Sequence, residues 1–295
     1  TYANHNHFAG FLEMSLPFAV MFPVALLSRS RARMHLSMRA VLAACGVWTL
    51  AAVILTGIVY SFSRMGFIAA LSSLFVSGTL AIASRQLNSA VVSRRRIWTS
   101  IGAVAMLVLA SFALLPPDRL IQRFGHFVSS DGLSDEGRSG LWTETIPLIK
   151  AYPIFGCGLG GYVTAFSKFK ISGVMVTDDF AHNDYLQLLA ELGLTGFLIL
   201  GALAFSVVRN ALRGAVGSSE PEVRYFAVAC AGALAAILLH SFVDFNLYIP
   251  ANAMLLAWIA GTATAVGSCE SGLRARDEVR QSSPITEETV EVALH

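Results

Sequence analysis

Residues 40–60, AVLAACGVWTLAAVILTGIVY, decide the class of this protein. The stretch carries no charged side chain, and Arg39 and Arg64 are the nearest charges on either side. About 20 mostly apolar residues in a helix are enough to cross the hydrocarbon core of a bilayer. Since a chain in lipid must satisfy its backbone polar groups internally, such a stretch must be helical. The segment therefore predicts a membrane-spanning helix.

Further apolar stretches of similar length define the fold class. The 295 residues are 55% hydrophobic and only 14% charged, whereas soluble domains carry about 25% charged residues. We therefore predict an all-α polytopic membrane protein with about seven transmembrane helices and a large, partly helical outward loop. The predicted helices lie at roughly 8–27, 40–60, 66–83, 98–115, 186–208, 225–246 and 250–267.

The placement of arginines sets the orientation of the predicted helices. Loops that face the cytoplasm carry an excess of Lys and Arg. The arginine-rich segments are 28–39, 84–97, 209–224 and the tail from Ser268. Because these segments alternate with the others, we predict that residues 1–7 and the loop 116–185 face outward. That loop is too long for a simple connection, which indicates a functional role.

The outward loop contains two recognisable features. Gly140–Tyr152 is predicted to form a short helix at the membrane interface, with Trp142, Ile146 and Ile149 towards lipid. Gly156–Gly161 (GCGLGG) is glycine-rich but lacks the Gly-Lys-Ser/Thr ending of a phosphate-binding P-loop. We therefore interpret it as a tight turn.

Several classes are excluded by the remaining composition. The four cysteines are widely spaced, without a Cys-x-x-Cys pair, which argues against a disulfide framework or a structural zinc site. The basic runs are explained by topology, so no nucleic acid is predicted as a partner. Polar residues 268–295 predict a disordered cytoplasmic tail after a transmembrane domain over 1–267. Since the chain begins with Thr1, we expect it to be the C-terminal part of a longer protein.

Two carboxylates are predicted to lie near the outward ends of helices. An ionisable residue within a span costs roughly 3 kcal/mol, and Glu13 and Asp244 both fall within predicted spans. Each is either a functional group or half of a structural ion pair with an arginine. His5 and His7 precede the first span, and we interpret them as surface polar residues rather than metal ligands.

Two arginines and one histidine are the strongest catalytic candidates. Arg64 is either an active residue or a helix-end anchor among phosphate headgroups, and Arg138 is either an active residue or an ion-pair partner within the loop. His182 precedes Asn183 and Asp184, which favour a helix start, so it is either a base or part of a cap. Arginine stabilises a diphosphate leaving group with a planar fork of donors. Histidine titrates near neutral pH and can deprotonate a hydroxyl.

At these residues the sequence resembles the O-antigen ligase/polymerase superfamily. The order of the motifs is quite specific, and the resemblance extends to about Gly267. The similar stretches are Asn6–Glu13 (NHFAGFLE), Ser63–Gly66 (SRMG), Gly137–Trp142 (GRSGLW), Pro153–Gly160 (PIFGCGLG), Ala181–Leu186 (AHNDYL), Glu191–Gly193 (ELG) and His240–Asn246 (HSFVDFN).

The resemblance implies a GT-C-like enzyme of lipopolysaccharide or polysaccharide biosynthesis in the bacterial inner membrane. Such enzymes move a glycan from undecaprenyl diphosphate to an acceptor hydroxyl on the periplasmic face. The acceptor is the lipid A–core oligosaccharide in the ligases, and a growing polysaccharide or a protein in relatives. They use neither ATP nor metal, so no cofactor and no metal site are expected.

The family's essential residues map by motif onto three positions of this chain. Its two arginines correspond to Arg64 and Arg138, and its histidine corresponds to His182. We predict that His182 is the general base, that the arginines neutralise the departing diphosphate, and that one displacement inverts the anomeric configuration. The sequence does not choose which aspartate orients His182 or a donor sugar. The predicted substrate-binding residues are Asn183, Asp184, Tyr185, Asp244, Glu13 and Trp142.

Two other classes of protein remain open at this point. In a transporter or flippase for a lipid-linked saccharide, Glu13 and Asp244 would mark a path across the membrane. A noncatalytic partner of a polysaccharide assembly machine would tolerate the loss of His182. The gathering of polar groups at one side favours the enzyme, as does the lack of an inverted-repeat pattern.

Overall fold

The computed structural model describes residues 4–32, 37–87, 136–171 and 179–282, and within these ranges all regular structure is helical. A short 3-10 helix, Asn246–Tyr248, precedes the last α-helix. The α-helices are α1 His5–Ala32, α2 Met38–Tyr60, α3 Arg64–Leu87, α4 Glu136–Ala151, α5 Tyr162–Phe166, α6 Asp184–Gly217, α7 Pro221–His240 and α8 Pro250–Ser282.

Six of these helices, α1, α2, α3, α6, α7 and α8, are long and apolar enough to cross a membrane. This confirms the predicted class of a polytopic helical membrane protein. The predicted span 98–115 lies outside the described residues, as does the outward loop from 116 to 135.

Two predicted boundaries differ from the structure. The sixth span was predicted to run to residue 246, but α7 ends at His240, so Asp244 lies in the following turn. The Asp244 carboxylate accepts a hydrogen bond from the Phe245 N–H, and such local bonds compete with helical ones. The disordered tail was predicted from Ser268, whereas α8 continues to Ser282, through arginines and glutamates that favour helix.

Helix α7 lies at the centre of the bundle, because small residues let its neighbours approach closely. It packs against α1, α3, α6 and α8. A Cβ at Gly232 would lie 2.0 Å from Ser77 Oγ of α3 and 3.2 Å from Pro17 Cβ of α1. Without a hydrophobic driving force between helices in lipid, such close packing is what holds them together.

The polar ends of several helices meet at one end of the bundle, here called the site end. A Cβ on Gly10 of α1 would lie 2.3 Å from Asn246 Oδ1, and one on Gly66 of α3 would lie 2.4 Å from Ala9 Cβ. The start of α1, the α2–α3 turn and the α7–α8 turn are therefore neighbours. At the opposite end, Arg29 of α1 pairs with Glu222 of α7.

The glycine-rich turn packs against a kink in α6. Gly193 interrupts α6 with φ 62° and ψ −171°. The kink leaves Leu194 N–H free to donate to Pro153 O at 2.9 Å, while Ala190 O accepts from Cys157 N–H at 2.9 Å. Gly156 has φ +72°, and a Cβ there would lie 2.2 Å from the Glu191 carbonyl. Only glycine fits this contact.

Substitution of Gly156 by alanine tests this packing. Gly158 also has positive φ, at +98°, but nothing lies within 4 Å of a Cβ there. Gly158→Ala is therefore expected to cost about 1–2 kcal/mol from backbone strain, and Gly156→Ala about 1–3 kcal/mol more from the backbone clash. The unfolding midpoints of the purified variants, measured in the same detergent, give the comparison. Equal midpoints would show that the turn does not depend on this contact.

Candidate active site

His182 is held in an unusual backbone conformation just before α6. Its φ of 48° is left-handed, which is uncommon for a residue other than glycine. Hydrogen bonds fix the residues on both sides. Ala181 N–H donates to Gln187 Oε1 at 2.7 Å and Ala181 O accepts from Trp142 Nε1 at 2.9 Å, while Asn183 Oδ1 caps α6 by accepting from the backbone of Tyr185 and Leu186.

Asp244 faces two histidines with one carboxylate oxygen. Its Oδ1 lies 3.4 Å from His182 Nδ1 and 3.4 Å from His7 Nε2. These are ion-pair distances, longer than well-formed hydrogen bonds. Burial opposes ionisation of the Asp244 carboxyl, but the contacts from His182 and His7 and the bond from Phe245 N–H outweigh it. Together they hold the pKa of Asp244 well below its ordinary value, so the carboxylate stays charged.

The ring of Phe245 contacts both imidazoles. It makes edge contacts with His7 at 4.5 Å and with His182 at 4.8 Å between ring centroids. Its other neighbour is Phe180, which stacks on it at 4.1 Å. Asp244 and Phe245, which are adjacent in the turn after α7, therefore both contact the imidazoles of His7 and His182.

Asp184 makes different contacts from Asp244. Asp184 Oδ2 accepts from Ser241 Oγ at 2.8 Å, and both carboxylate oxygens lie 3.3 Å from Leu247 N. Its own N–H donates to Ser241 O at 2.9 Å. Asp184 thus ties the start of α6 to the turn after α7, and Asp244 is the aspartate that contacts His182.

A chain of buried and half-buried polar side chains connects the kink of α6 to the His182 segment. Glu191 accepts from Gln187 Nε2 at 2.9 Å and from the Tyr248 hydroxyl at 2.7 Å, and Gln187 in turn accepts from Ala181 N–H. Burial and the Glu191 carboxylate raise the pKa of Tyr248 above its ordinary value, so its hydroxyl remains a donor. These hydrogen bonds therefore hold the backbone just before His182 in place.

The two predicted catalytic arginines occupy helix starts. Arg64 is the first residue of α3 at the site end and is half-buried. Arg138 lies in the first turn of α4, one helical turn before Trp142. Since Trp142 donates to Ala181 O, α4 packs beside the segment that carries His182.

A family model described as O-antigen ligase matches residues 49–201. This chain belongs to the O-antigen ligase family. The matched residues run from within α2 into α6 and include Arg64, Arg138 and His182. No curated protein matches the chain. Membership in the family supports a role in glycan ligation or polymerisation by a glycosyltransferase-like membrane enzyme.

The predicted substrate-binding residues of this O-antigen ligase family member make structural contacts. Tyr185 OH donates to Leu238 O at 2.6 Å, and Trp142 and Asn183 hold the His182 segment as described above. In α4, Ile146 is exposed, as predicted, but Trp142 turns inward to Ala181 and Ile149 packs against the buried cluster around Leu148. The predicted lipid-facing stripe of that helix is therefore wrong for Trp142 and Ile149.

Sequence reasoning missed two buried histidines at the site end. His7 was interpreted as a surface residue, but it is 5% exposed and contacts Asp244. His240 was named only as the start of the motif His240–Asn246, but it is fully buried, and its Nδ1 lies 3.0 Å from both carboxylate oxygens of Glu13. The one available signal was that each histidine stands at the end of an apolar helix.

Glu13 is fully buried between α1 and α7, so its predicted contact with substrate would require this pair to open. Removal of one partner from a buried ion pair usually costs about 3–5 kcal/mol, whereas replacement of both by apolar residues is often nearly neutral. We therefore expect Glu13→Leu and His240→Leu each to lower stability strongly, and the double variant to recover most of the loss. Thermal unfolding of the wild type, the two single variants and the double variant in one detergent measures the coupling free energy between Glu13 and His240. Additive losses would contradict the pairing.

Proposed function

We propose that this protein transfers a glycan from undecaprenyl diphosphate to an acceptor hydroxyl at the periplasmic face of the inner membrane. The acceptor is the lipid A–core oligosaccharide or a growing polysaccharide. The reaction is a single inverting displacement that needs no metal. His182 is the general base, Asp244 orients it, and Arg64 and Arg138 stabilise the leaving group.

The observation that carries the proposal is the environment of His182. Its Nδ1 is buried against Asp244, whose side chain is 1% exposed, whereas 33% of the His182 side chain is exposed. The exposed part is therefore the rest of the ring, where Nε2 lies. A carboxylate that accepts the Nδ1 proton keeps the lone pair on Nε2, which can then take a proton from a hydroxyl.

The proposed step balances in atoms and charge. The acceptor hydroxyl gives its proton to His182 Nε2 while its oxygen forms a bond to the anomeric carbon of the donor sugar. The bond from that carbon to the diphosphate oxygen breaks, and undecaprenyl diphosphate leaves with the electron pair. Asp244 stabilises the imidazolium, which afterwards releases its proton to water.

The arginines are assigned to the leaving group because of their charge and their place at helix starts. Arg64 begins α3 at the site end, and the N-terminus of a helix carries partial positive charge that favours a phosphate. Arg138 lies in the first turn of α4, the helix that contacts the His182 segment through Trp142. Two cations beside a developing diphosphate charge would stabilise the transition state.

The periplasmic assignment follows from charge. The arginine-rich segments around Arg29 and Arg209 lie at the opposite end of the bundle from His182, where Arg29 pairs with Glu222. Since arginine-rich loops stay in the cytoplasm, the site end faces the periplasm. The lipid-linked donor presents its diphosphate at that surface.

The test is glycan transfer by the full-length protein in proteoliposomes. Undecaprenyl-diphosphate-linked glycan is supplied with lipid A–core or with an oligosaccharide acceptor, in buffer that contains EDTA. We expect one undecaprenyl diphosphate to be released for each glycan joined, with an inverted anomeric configuration by NMR. Movement of intact donor to the other leaflet without transfer would instead favour the flippase. A retained configuration would refute the single displacement.

A further inference from the structure

The glycine-rich turn carries an exposed apolar surface that the proposed reaction does not explain. Ile154 is 60% exposed, Phe155 76% and Leu159 72%. These three side chains are here called the apolar tip. Clustered exposed apolar side chains mark an interaction site or contact with a membrane.

Backbone hydrogen bonds fix the height of the apolar tip along α6. On the turn, Pro153 O and Ile154 O accept from Leu194 and Thr195 N–H, at 2.9 and 3.1 Å, and Gly158 N–H donates to Glu191 O at 2.9 Å. At 1.5 Å per residue, Gly193 lies about 14 Å along the helix from Asp184. The tip is therefore bound well below the start of α6.

At that height α6 faces lipid. Leu194 is 53% exposed, Leu198 59% and Ile199 64%, which gives α6 an apolar outer surface. Arg209 is exposed near the other end of the helix. About 20 helical residues cross the hydrocarbon core, and that length counted back from Arg209 reaches about residue 190, where the turn is bound.

The backbone of the turn is suited to such a position. Non-helical backbone is tolerated at membrane depth only where protein satisfies its polar groups. Here the N–H groups of Gly156, Cys157, Gly158 and Gly161 all donate to protein carbonyls. These four bonds leave fewer free backbone donors in the turn and so lower the cost of bringing it to that depth.

We propose that the turn 152–161 dips into the bilayer and inserts the apolar tip into the hydrocarbon of the leaflet at the site end. Its partner is bilayer lipid, because the tip is level with the lipid-facing surface of α6. Since the same turn is bonded to α6 at Ala190 and Glu191, insertion anchors the extramembrane helices α4 and α5 at a fixed height. The proposal does not depend on which reaction the site performs.

The test measures the depth of a fluorescent label in phospholipid vesicles that contain no lipid-linked glycan. The native cysteines of the full-length protein are replaced, and an NBD label is attached at Phe155→Cys. Leu198→Cys on the outer surface of α6 is the lipid control. Lys168→Cys is the aqueous control, because Lys168 is charged and exposed after α5.

We expect the label at position 155 to be quenched by nitroxide lipids and shielded from iodide, as at position 198. Quenching by iodide as strong as at position 168 would overturn the proposal. If Phe155→Cys does not fold, Leu159→Cys gives the same comparison, because the exposed Leu159 side chain belongs to the same tip.

Discussion

Replacement of His182 by alanine is expected to reduce glycan transfer by about 10²–10⁴-fold, which is the usual contribution of a general base. Alanine cannot accept the proton of the acceptor hydroxyl. The surrounding structure should persist, because Trp142, Gln187 and Asn183 hold the backbone on both sides through bonds that do not involve the imidazole. Transfer is measured in membranes that contain a lipid-linked donor, with full-length variants at matched expression.

Two further variants separate loss of the base from loss of the fold. Asparagine tolerates the left-handed φ of 48° better than alanine does, so His182→Asn keeps the local backbone and still lacks a base. His5 stands in the first turn of α1 and is exposed, so His5→Ala is the matched histidine control. We expect His182→Asn to be as inactive as His182→Ala, and His5→Ala to keep wild-type transfer.

Chemical rescue adds a readout that a structural role would not change. Because a third of the His182 side chain is exposed, free imidazole can reach the gap left by alanine. We expect imidazole to restore part of the transfer to His182→Ala and none to Arg64→Ala. Undiminished transfer by His182→Ala without imidazole would refute the proposed mechanism. It would leave the hypotheses of a flippase and of a noncatalytic partner of a polysaccharide assembly machine.

The transmembrane helices could be predicted because their signal is local. The uncharged stretch 40–60 became α2 at Met38–Tyr60, since length and hydropathy alone decide whether a segment suits lipid. Helix ends were harder, because they depend on single hydrogen bonds. The end of α7 at His240 depends on hydrogen bonds within the following turn and between that turn and Asp184. The periodicity of apolar residues in the sequence does not predict these hydrogen bonds.

The candidate catalytic residues were also visible in the sequence, but the contacts between them were not. His182 stood out through the order of the family motifs. Its partner could have been Asp184, two residues away, or Asp244, far along the chain, and only the fold brings Asp244 to 3.4 Å. His7 was missed for the same reason, since its contact with Asp244 joins the two ends of the transmembrane domain.

Glu13 and Asp244 were predicted to be either functional groups or halves of ion pairs, because ionisable residues within a membrane span are expensive. The structure shows a second way to meet that cost. The buried Gln187 and Glu191 and the half-buried Tyr248 satisfy one another through hydrogen bonds. A sequence alone does not distinguish a side chain that binds ligand from one that binds backbone, because both require the same donors and acceptors.

Substitution of Asp244 by asparagine is the second change with a large expected effect. In a Ser-His-Asp triad, the same change costs about 10⁴-fold in turnover, because the amide favours the wrong histidine tautomer. Here an amide N–H facing His182 Nδ1 would place the proton on Nε2, which then could not accept from the acceptor hydroxyl. We expect kcat for transfer to fall by about 10²–10⁴-fold with little change in KM for the donor.

Asp184→Asn provides the matched control. Both aspartates are fully buried at the site end, but Asp184 contacts Ser241 and Leu247, and within the described residues no hydrogen bond or ion pair joins it to a histidine. Its substitution should affect stability more than the chemical step. Equal losses of kcat in the two variants at equal stability would contradict the assignment of Asp244 as the residue that orients His182.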